Sequence, residues 1–152
     1  MSFLPCFLIP VYNHGQVIGA TVDTLARHDL PIFIVDDGSN AETRATLEAI
    51  AARQPLVRLS RLPDNRGKGA AVMHGFAEAA RAGRSHALQV DADGQHDLAD
   101  VDRFLDMAAN HPEAVICGQP IYDDSIPAGR KYGRYATHIW VWIETVSFDI
   151  RD

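Results

Sequence analysis

The chain has 152 residues and a mass of 16.7 kDa, with 47% hydrophobic and 22% charged residues, which excludes a disordered or fibrous chain and sets the scale of one domain. A domain of that size buries roughly 68–70% of the surface its unfolded chain exposes, so it folds without a metal or disulfide staple. The formal net charge of −6 gives no general attraction for nucleic acid or anionic lipid, so bound phosphate must be held by a local device.

Short apolar runs alternate with helical patterns along the chain. Residues 7–11 read as a first strand, followed by a helix from about Gln16 with Val17, Ile18, Val22 and Leu25 on one side. Residues 32–35 are a second strand, and Leu47, Ile50 and Ala51 mark the helix after it. Residues 57–62 form a third strand, placed near an edge because Arg58, Ser60 and Arg61 break its apolar character. A helix over about 69–81 turns Val72, Phe76, Ala79 and Ala80 inward.

Residues 87–90 are a fourth strand ending at Asp91, and Val101, Phe104, Leu105 and Ala108 stripe a helix that stops near His111-Pro112. Residues 114–117 read as a fifth strand, and a helix over 130–148 packs Tyr132, Tyr135, Ile139, Ile143 and Val146 with Trp140 and Trp142 nearby. Repeated strand, helix, strand units imply an α/β fold: a mostly parallel sheet with helices on both faces, in a single domain over residues 1–152.

Cys6 and Cys117 both lie in apolar runs and read as small buried hydrophobes in a reducing compartment, which points to the cytoplasm. The apolar stretch 3–12 is short, is interrupted by Pro5 and Pro10, and lacks a positive leading region, so it reads neither as a signal peptide nor as a membrane span.

In an open parallel sheet, ligands bind outside the carboxyl ends of the strands. Three unusual groups fall there: Tyr12-Asn13, Asp36-Asp37-Gly38-Ser39 and Asp91-Ala92-Asp93-Gly94-Gln95-His96. Asp91 and Asp93 can converge on a hard divalent cation that takes its other ligands from water and phosphate oxygens; the same pair also suits a solvated turn ahead of an Asp97 helix cap. Ser39 and Glu42 have the spacing of a capping box, yet two adjacent carboxylates exceed what a cap needs. One of them can accept the imide N–H of uracil or the amino and imino pair of guanine, with Tyr12 packed on the base. Asn65-Arg66-Gly67-Lys68-Gly69 sets two cations and two glycines before a helix, a place for phosphate or a plain glycine turn. It departs from both the P-loop and the dinucleotide fingerprint. The seven histidines do not cluster at metal spacing, and His96 reads as a polar residue at a helix start.

Taken in order, Ile9-Pro10-Val11-Tyr12-Asn13, Val35-Asp36-Asp37-Gly38-Ser39, Asn65-Arg66-Gly67-Lys68-Gly69 and Asp91-Ala92-Asp93-Gly94-Gln95-His96 resemble family 2 glycosyltransferases of the GT-A fold. The Asp-Ala-Asp-x-Gln-His form is most similar to the polyprenyl (dolichyl) phosphate mannosyl and glucosyl transferases. The resemblance implies an inverting enzyme that moves a sugar from a UDP or GDP sugar to an acceptor, such as a polyprenyl phosphate or another lipid or carrier, with Mg²⁺ or Mn²⁺ as cofactor. By position, Pro10, Tyr12 and Asn13 would line the nucleobase pocket and Asp37 would hydrogen-bond the base. Asp91 would reach the ribose or the metal, Asp93 and Gln95 would complete the metal site, and Lys68 would lie near the donor. Peripheral association with the inner face of the membrane follows from the resemblance alone.

Where the polyprenyl-phosphate enzymes carry Gly-Ser-Arg after the fifth strand, this chain has Cys117-Gly118-Gln119 and lacks that cation, for which Arg130, Lys131 or Arg134 is a candidate substitute. No catalytic base is assigned; Asp123, Asp124, Glu144, Asp149 and Asp152 are candidates, and an ionised phosphate acceptor needs none. Family members continue beyond the length of this chain, so the acceptor side is expected to be incomplete here. Two rival readings are a catalytically silent nucleotide-sugar-binding module and a phosphohydrolase with Asp91 as nucleophile.

Overall fold

The computed structural model describes residues 2–94 and 97–118. Four strands, β1 (Pro5–Val11), β2 (Ile32–Asp36), β3 (Val57–Arg61) and β4 (His86–Gln89), form a sheet in the order β3-β2-β1-β4, and every pairing is parallel. Helices α1 (Ile18–Leu25), α2 (Ala41–Arg53), α3 (Lys68–Arg81) and α4 (Val101–Asn110) connect or follow them, with short 3₁₀ turns at Ala26–His28 and Leu98–Asp100. The first two strands are apolar up to the closing Asp36 of β2 because they are central and covered on both faces, whereas β3 tolerates Arg58 and Arg61 because it lies at an edge.

Alternation of side chains along the strands divides the core in two. Phe7, Ile9, Val11, Ile32 and Ile34 point to one face, where Ile18, Val22 and Leu25 of α1, Leu47 and Ile50 of α2 and Val101 of α4 cover them. Cys6, Leu8, Phe33 and Val35 point to the other, where Ala71 and Ala79 of α3 pack. Helices therefore lie on both faces, as the alternation of elements predicts.

Three details of packing differ from the periodicity. The buried stripe of α3 is Ala71, Gly75 and Ala79, while Phe76 is 40% exposed and Ala80 also faces outward. Small residues win that face because the helix sits close to the sheet: a Cβ on Gly75 would overlap the Leu8 side chain and stand 3.1 Å from Val35 Cγ2. Val17 is 43% exposed and precedes α1 instead of joining its inner stripe. The N-cap of α2 is Asn40, whose side chain accepts the Thr43 N–H at 2.9 Å, and not Ser39. The Ser39 hydroxyl accepts the Asn13 N–H at 3.0 Å instead.

Met1–Ala114 form one compact unit and Val115–Asp152 a second. No strand forms over residues 114–117; Val115 is 92% exposed and Cys117 is exposed. An apolar run specifies a wish for burial, not a ladder partner, and without pairing this one does not become a strand or bury its cysteine. The expected helix over 130–148 lies outside the described residues.

Cys6 keeps the character expected of it. Burial pushes its thiol up from the ordinary 9.0 to about 11, against a smaller opposing pull from the Arg84 charge. The unfolded thiol ionises near 9 while the folded one keeps its proton, so this group's contribution to stability is complete below pH 9 and declines as pH rises toward 11. A disulfide reagent at pH 8 is expected to titrate Cys117 and leave Cys6 untouched until denaturant is added; rapid reaction of both thiols in the native protein would contradict the packing.

Candidate functional site

A cleft of about 310 Å³ opens at the carboxyl ends of the strands. Its position follows from Pro10. The Phe7 N–H and Val11 carbonyl hydrogen-bond on the β2 side and the Leu8 carbonyl accepts the Val90 N–H on the β4 side, so the alternation directs the amide of residue 10 toward β4. Proline has no N–H to donate. The β1·β4 ladder accordingly ends at Leu8↔Gln89, while β1 stays paired with β2 as far as Val11↔Asp36. The strands part beyond Pro10, and Pro10, Val11, Tyr12, Asp91, Ala92 and Asp93 line the gap.

The two carboxylates after β2 have different partners. Asp36 is buried; one oxygen accepts the Ser39 N–H at 2.8 Å and the other pairs with the Arg61 guanidinium, which also donates to the Ser39 carbonyl at 2.8 Å. That arrangement ties the end of β3 to the turn after β2. Asp37 is also buried, and its two oxygens accept the N–H groups of Arg66 and Gly67, each at 2.8 Å. Gly38, at φ +72°, lets the chain turn against residues 64 and 65. Asp37 thus clamps the loop that starts α3, and α3 begins with Lys68 pointed into the cleft.

From there the Lys68 ammonium reaches Asp91, 2.6 Å from one carboxylate oxygen and 2.8 Å from the other. The Gln89 amide donates to Asp91 Oδ1 at 3.2 Å. Gly94, at φ +70°, closes the turn after Asp93. The loops that follow β1, β2 and β4 and precede α3 therefore all contribute to one cleft.

Of the residues singled out from the sequence, Pro10, Tyr12, Asp37, Lys68, Asp91 and Asp93 line this cleft together. Asn13 does not; it adopts φ +57° and its side chain accepts the Asn40 N–H at 2.9 Å, bracing the turn beneath Tyr12. Gln95 and His96 lie outside the described residues. Asn65, which opens the Asn65–Gly69 motif, also lines the cleft, as does His14, which nothing in its spacing marks. The Asp37 clamp and the Lys68–Asp91 pair were equally invisible, because each joins groups more than twenty residues apart.

Chemically, the cleft offers an exposed aromatic face at Tyr12, buried carboxylate acceptors at Asp37, one ammonium and two hard oxygen donors at Asp91 and Asp93. No group of three or more His, Cys, Asp or Glu is placed to hold a metal among the described residues. Two carboxylates still suit Mg²⁺ or Mn²⁺, which keep waters and share phosphate oxygens, and Asp91 already seats a cation in the form of Lys68.

The family model for glycosyl transferase family 2 matches residues 6–148. The chain belongs to that family. This family 2 chain is 33% identical over 156 residues to the dolichyl-phosphate beta-glucosyltransferase of Dictyostelium discoideum, a match covering 88% of the chain and 47% of that protein. It is 34% identical over 103 residues to the polyprenol monophosphomannose synthase of Mycolicibacterium smegmatis, covering 65% of the chain and 38% of that protein. The chain thus spans about half the length, or less, of these curated relatives. Among solved structures, a mannosyltransferase from Pyrobaculum calidifontis in complex with GDP-Man and Mn²⁺ matches 64% of this chain and 29% of its own, with a TM-score of 0.50 and 23% identity. That likeness is one of fold, and the parallel sheet with its flanking helices is GT-A-like.

Proposed function

We propose that this family 2 chain binds the donor of an inverting glycosyltransferase that moves a sugar from a UDP or GDP sugar to a polyprenyl phosphate. The observation that carries the reading is the convergence of Tyr12, Asp37, Lys68, Asp91 and Asp93 on one cleft at the strand ends. The names of the relatives, a dolichyl-phosphate and a polyprenol enzyme, support the acceptor class. In this reading residues 1–152 act as one nucleotide-sugar-binding domain. The setting is the cytoplasm, at the inner face of the membrane where a lipid phosphate is presented; no helix among the described residues is long and apolar enough to cross a membrane.

Tyr12, with Pro10 at its side, receives the nucleobase. Each Asp37 oxygen accepts one backbone N–H and has a second lone pair to offer the base. Asn13 holds the Tyr12 turn in place. Asp91 and Asp93, together with Gln95, would hold Mg²⁺ or Mn²⁺, and Lys68 adds a further positive charge beside them. When bound, the ion supplies Lewis-acid stabilisation of the charge that grows on the leaving group. Transfer breaks the bond between the anomeric carbon and the diphosphate oxygen while an acceptor oxygen bonds from the opposite face. The departing diphosphate carries the electron pair into the field of Lys68, an interaction stronger in the transition state than in the bound donor. An ionised phosphate acceptor brings its own nucleophilic oxygen.

Titration calorimetry of the full chain with UDP and with GDP, in the presence and absence of Mn²⁺, tests this. One of the two nucleotides is expected to bind at least about tenfold more tightly with Mn²⁺, a difference of about 1.4 kcal/mol. Equal affinities for both nucleotides under both conditions would overturn it.

A further inference from the structure

We infer that Lys68 is the resident counter-cation of Asp91 and has to release it before a divalent ion can enter, so that metal and diphosphate bind cooperatively. This rests on the donor-site reading given above. The ammonium lies 2.6 Å and 2.8 Å from the two oxygens of Asp91, so it faces both of the atoms a metal would use. A divalent ion approaching those oxygens meets a positive charge at contact distance, in a cleft where the Asp91 side chain is only 26% exposed and screening is reduced.

The exchange has a mechanical basis in the fold. Lys68 is the first residue of α3, and the backbone just before it is pinned by the bonds from Arg66 and Gly67 to Asp37. Its side chain is 57% exposed and carries a flexible four-carbon stem, so the ammonium can leave Asp91 without moving the helix. What it needs is another anion. A diphosphate at the start of α3 provides one, since the helix dipole favours negative charge at that end. Metal alone must displace Lys68 into water, whereas metal with diphosphate hands it a new partner. Linkage requires the effect to be reciprocal: the ion strengthens diphosphate binding by the same factor that diphosphate strengthens ion binding.

The test measures Mn²⁺ affinity from the electron paramagnetic resonance signal of the free ion, for the full chain alone and with saturating GDP or UDP. Comparison is with Lys68→Gln, Lys68→Met and Lys68→Arg, each checked for native folding by circular dichroism. Without nucleotide, the two neutral variants are expected to bind Mn²⁺ about three- to tenfold more tightly than wild type, and the arginine variant to bind like wild type. The nucleotide-induced gain in Mn²⁺ affinity is expected to shrink in the neutral variants by at least about threefold. Neutral variants that bind Mn²⁺ no better than wild type, while nucleotide still enhances Mn²⁺ binding in full, would overturn this inference and leave the donor-site reading standing. A wild-type chain in which Mn²⁺ and nucleotide bind without influencing each other would overturn both.

Discussion

Replacing Asp93 with alanine is expected to lower Mn²⁺-dependent nucleotide affinity roughly 100-fold, because one of the two carboxylates proposed to hold the ion is lost. Folding should barely respond. Asp93 is partly exposed, and its turn is held by the buried Ala92 before it and by Gly94 at φ +70° after it. A substitution at such a position costs on the order of 1 kcal/mol or less. Calorimetry with GDP or UDP and Mn²⁺, alongside thermal unfolding, separates the two effects. Undiminished affinity in Asp93→Ala would remove the metal from this cleft and with it the proposed chemistry of the leaving group.

The second large effect is structural in origin and reaches the site through the backbone. Gly38 has φ +72°, and a Cβ there would stand 2.5 Å from the carbonyl carbon of Asp64 and 2.6 Å from the nitrogen of Asn65. Gly38→Val therefore combines a left-handed conformation that a β-branched residue resists with an overlap against backbone, which has no rotamer to yield. A loss of about 3–5 kcal/mol is expected. Gly67 makes the control: it has φ +88° and ψ 155° but nothing within 4 Å of the added atom, so Gly67→Ala bears only the dihedral strain of about 1–3 kcal/mol. Because residues 64 and 65 lead into the loop that Asp37 clamps, Gly38→Val should also weaken nucleotide binding under conditions where the protein remains folded. Denaturant unfolding checks the stability, and equal losses in the two variants would show that the close approach of residues 64 and 65 is not what requires glycine.

The contrast between these sites indicates what can be read along a chain. Asp91 and Asp93 are separated by one residue, and Asp36 to Ser39 are consecutive, so their chemistry is visible as a local pattern at a strand end. The partners that orient them are not. Asp37 meets the N–H groups of Arg66 and Gly67, Asp36 meets Arg61, and Lys68 meets Asp91, each pairing brought about by strands adjoining in the sheet or by α3 returning over it. The same distinction explains the errors in packing. Periodicity ranks Phe76 above Gly75 as a core residue, yet the small residue faces the sheet because Leu8 and Val35 leave no room for more. Ser39 has the spacing of a helix cap and is instead taken up by Asn13, leaving Asn40 to cap α2.

What the sequence alone determined is the succession of the first four strands and the helices between and after them, the parallel α/β class and the three acidic or aromatic strand ends where ligands would gather. Those depend on hydrophobic period, turn residues and neighbours within a few positions, all of them local. Tertiary structure decided which strand lies beside which, that Pro10 ends one ladder and opens the cleft, that residues 114–117 remain unpaired, and that Lys68 rests on Asp91. Each of these turns on a distance between atoms remote in the chain, and such distances exist only once the sheet has assembled.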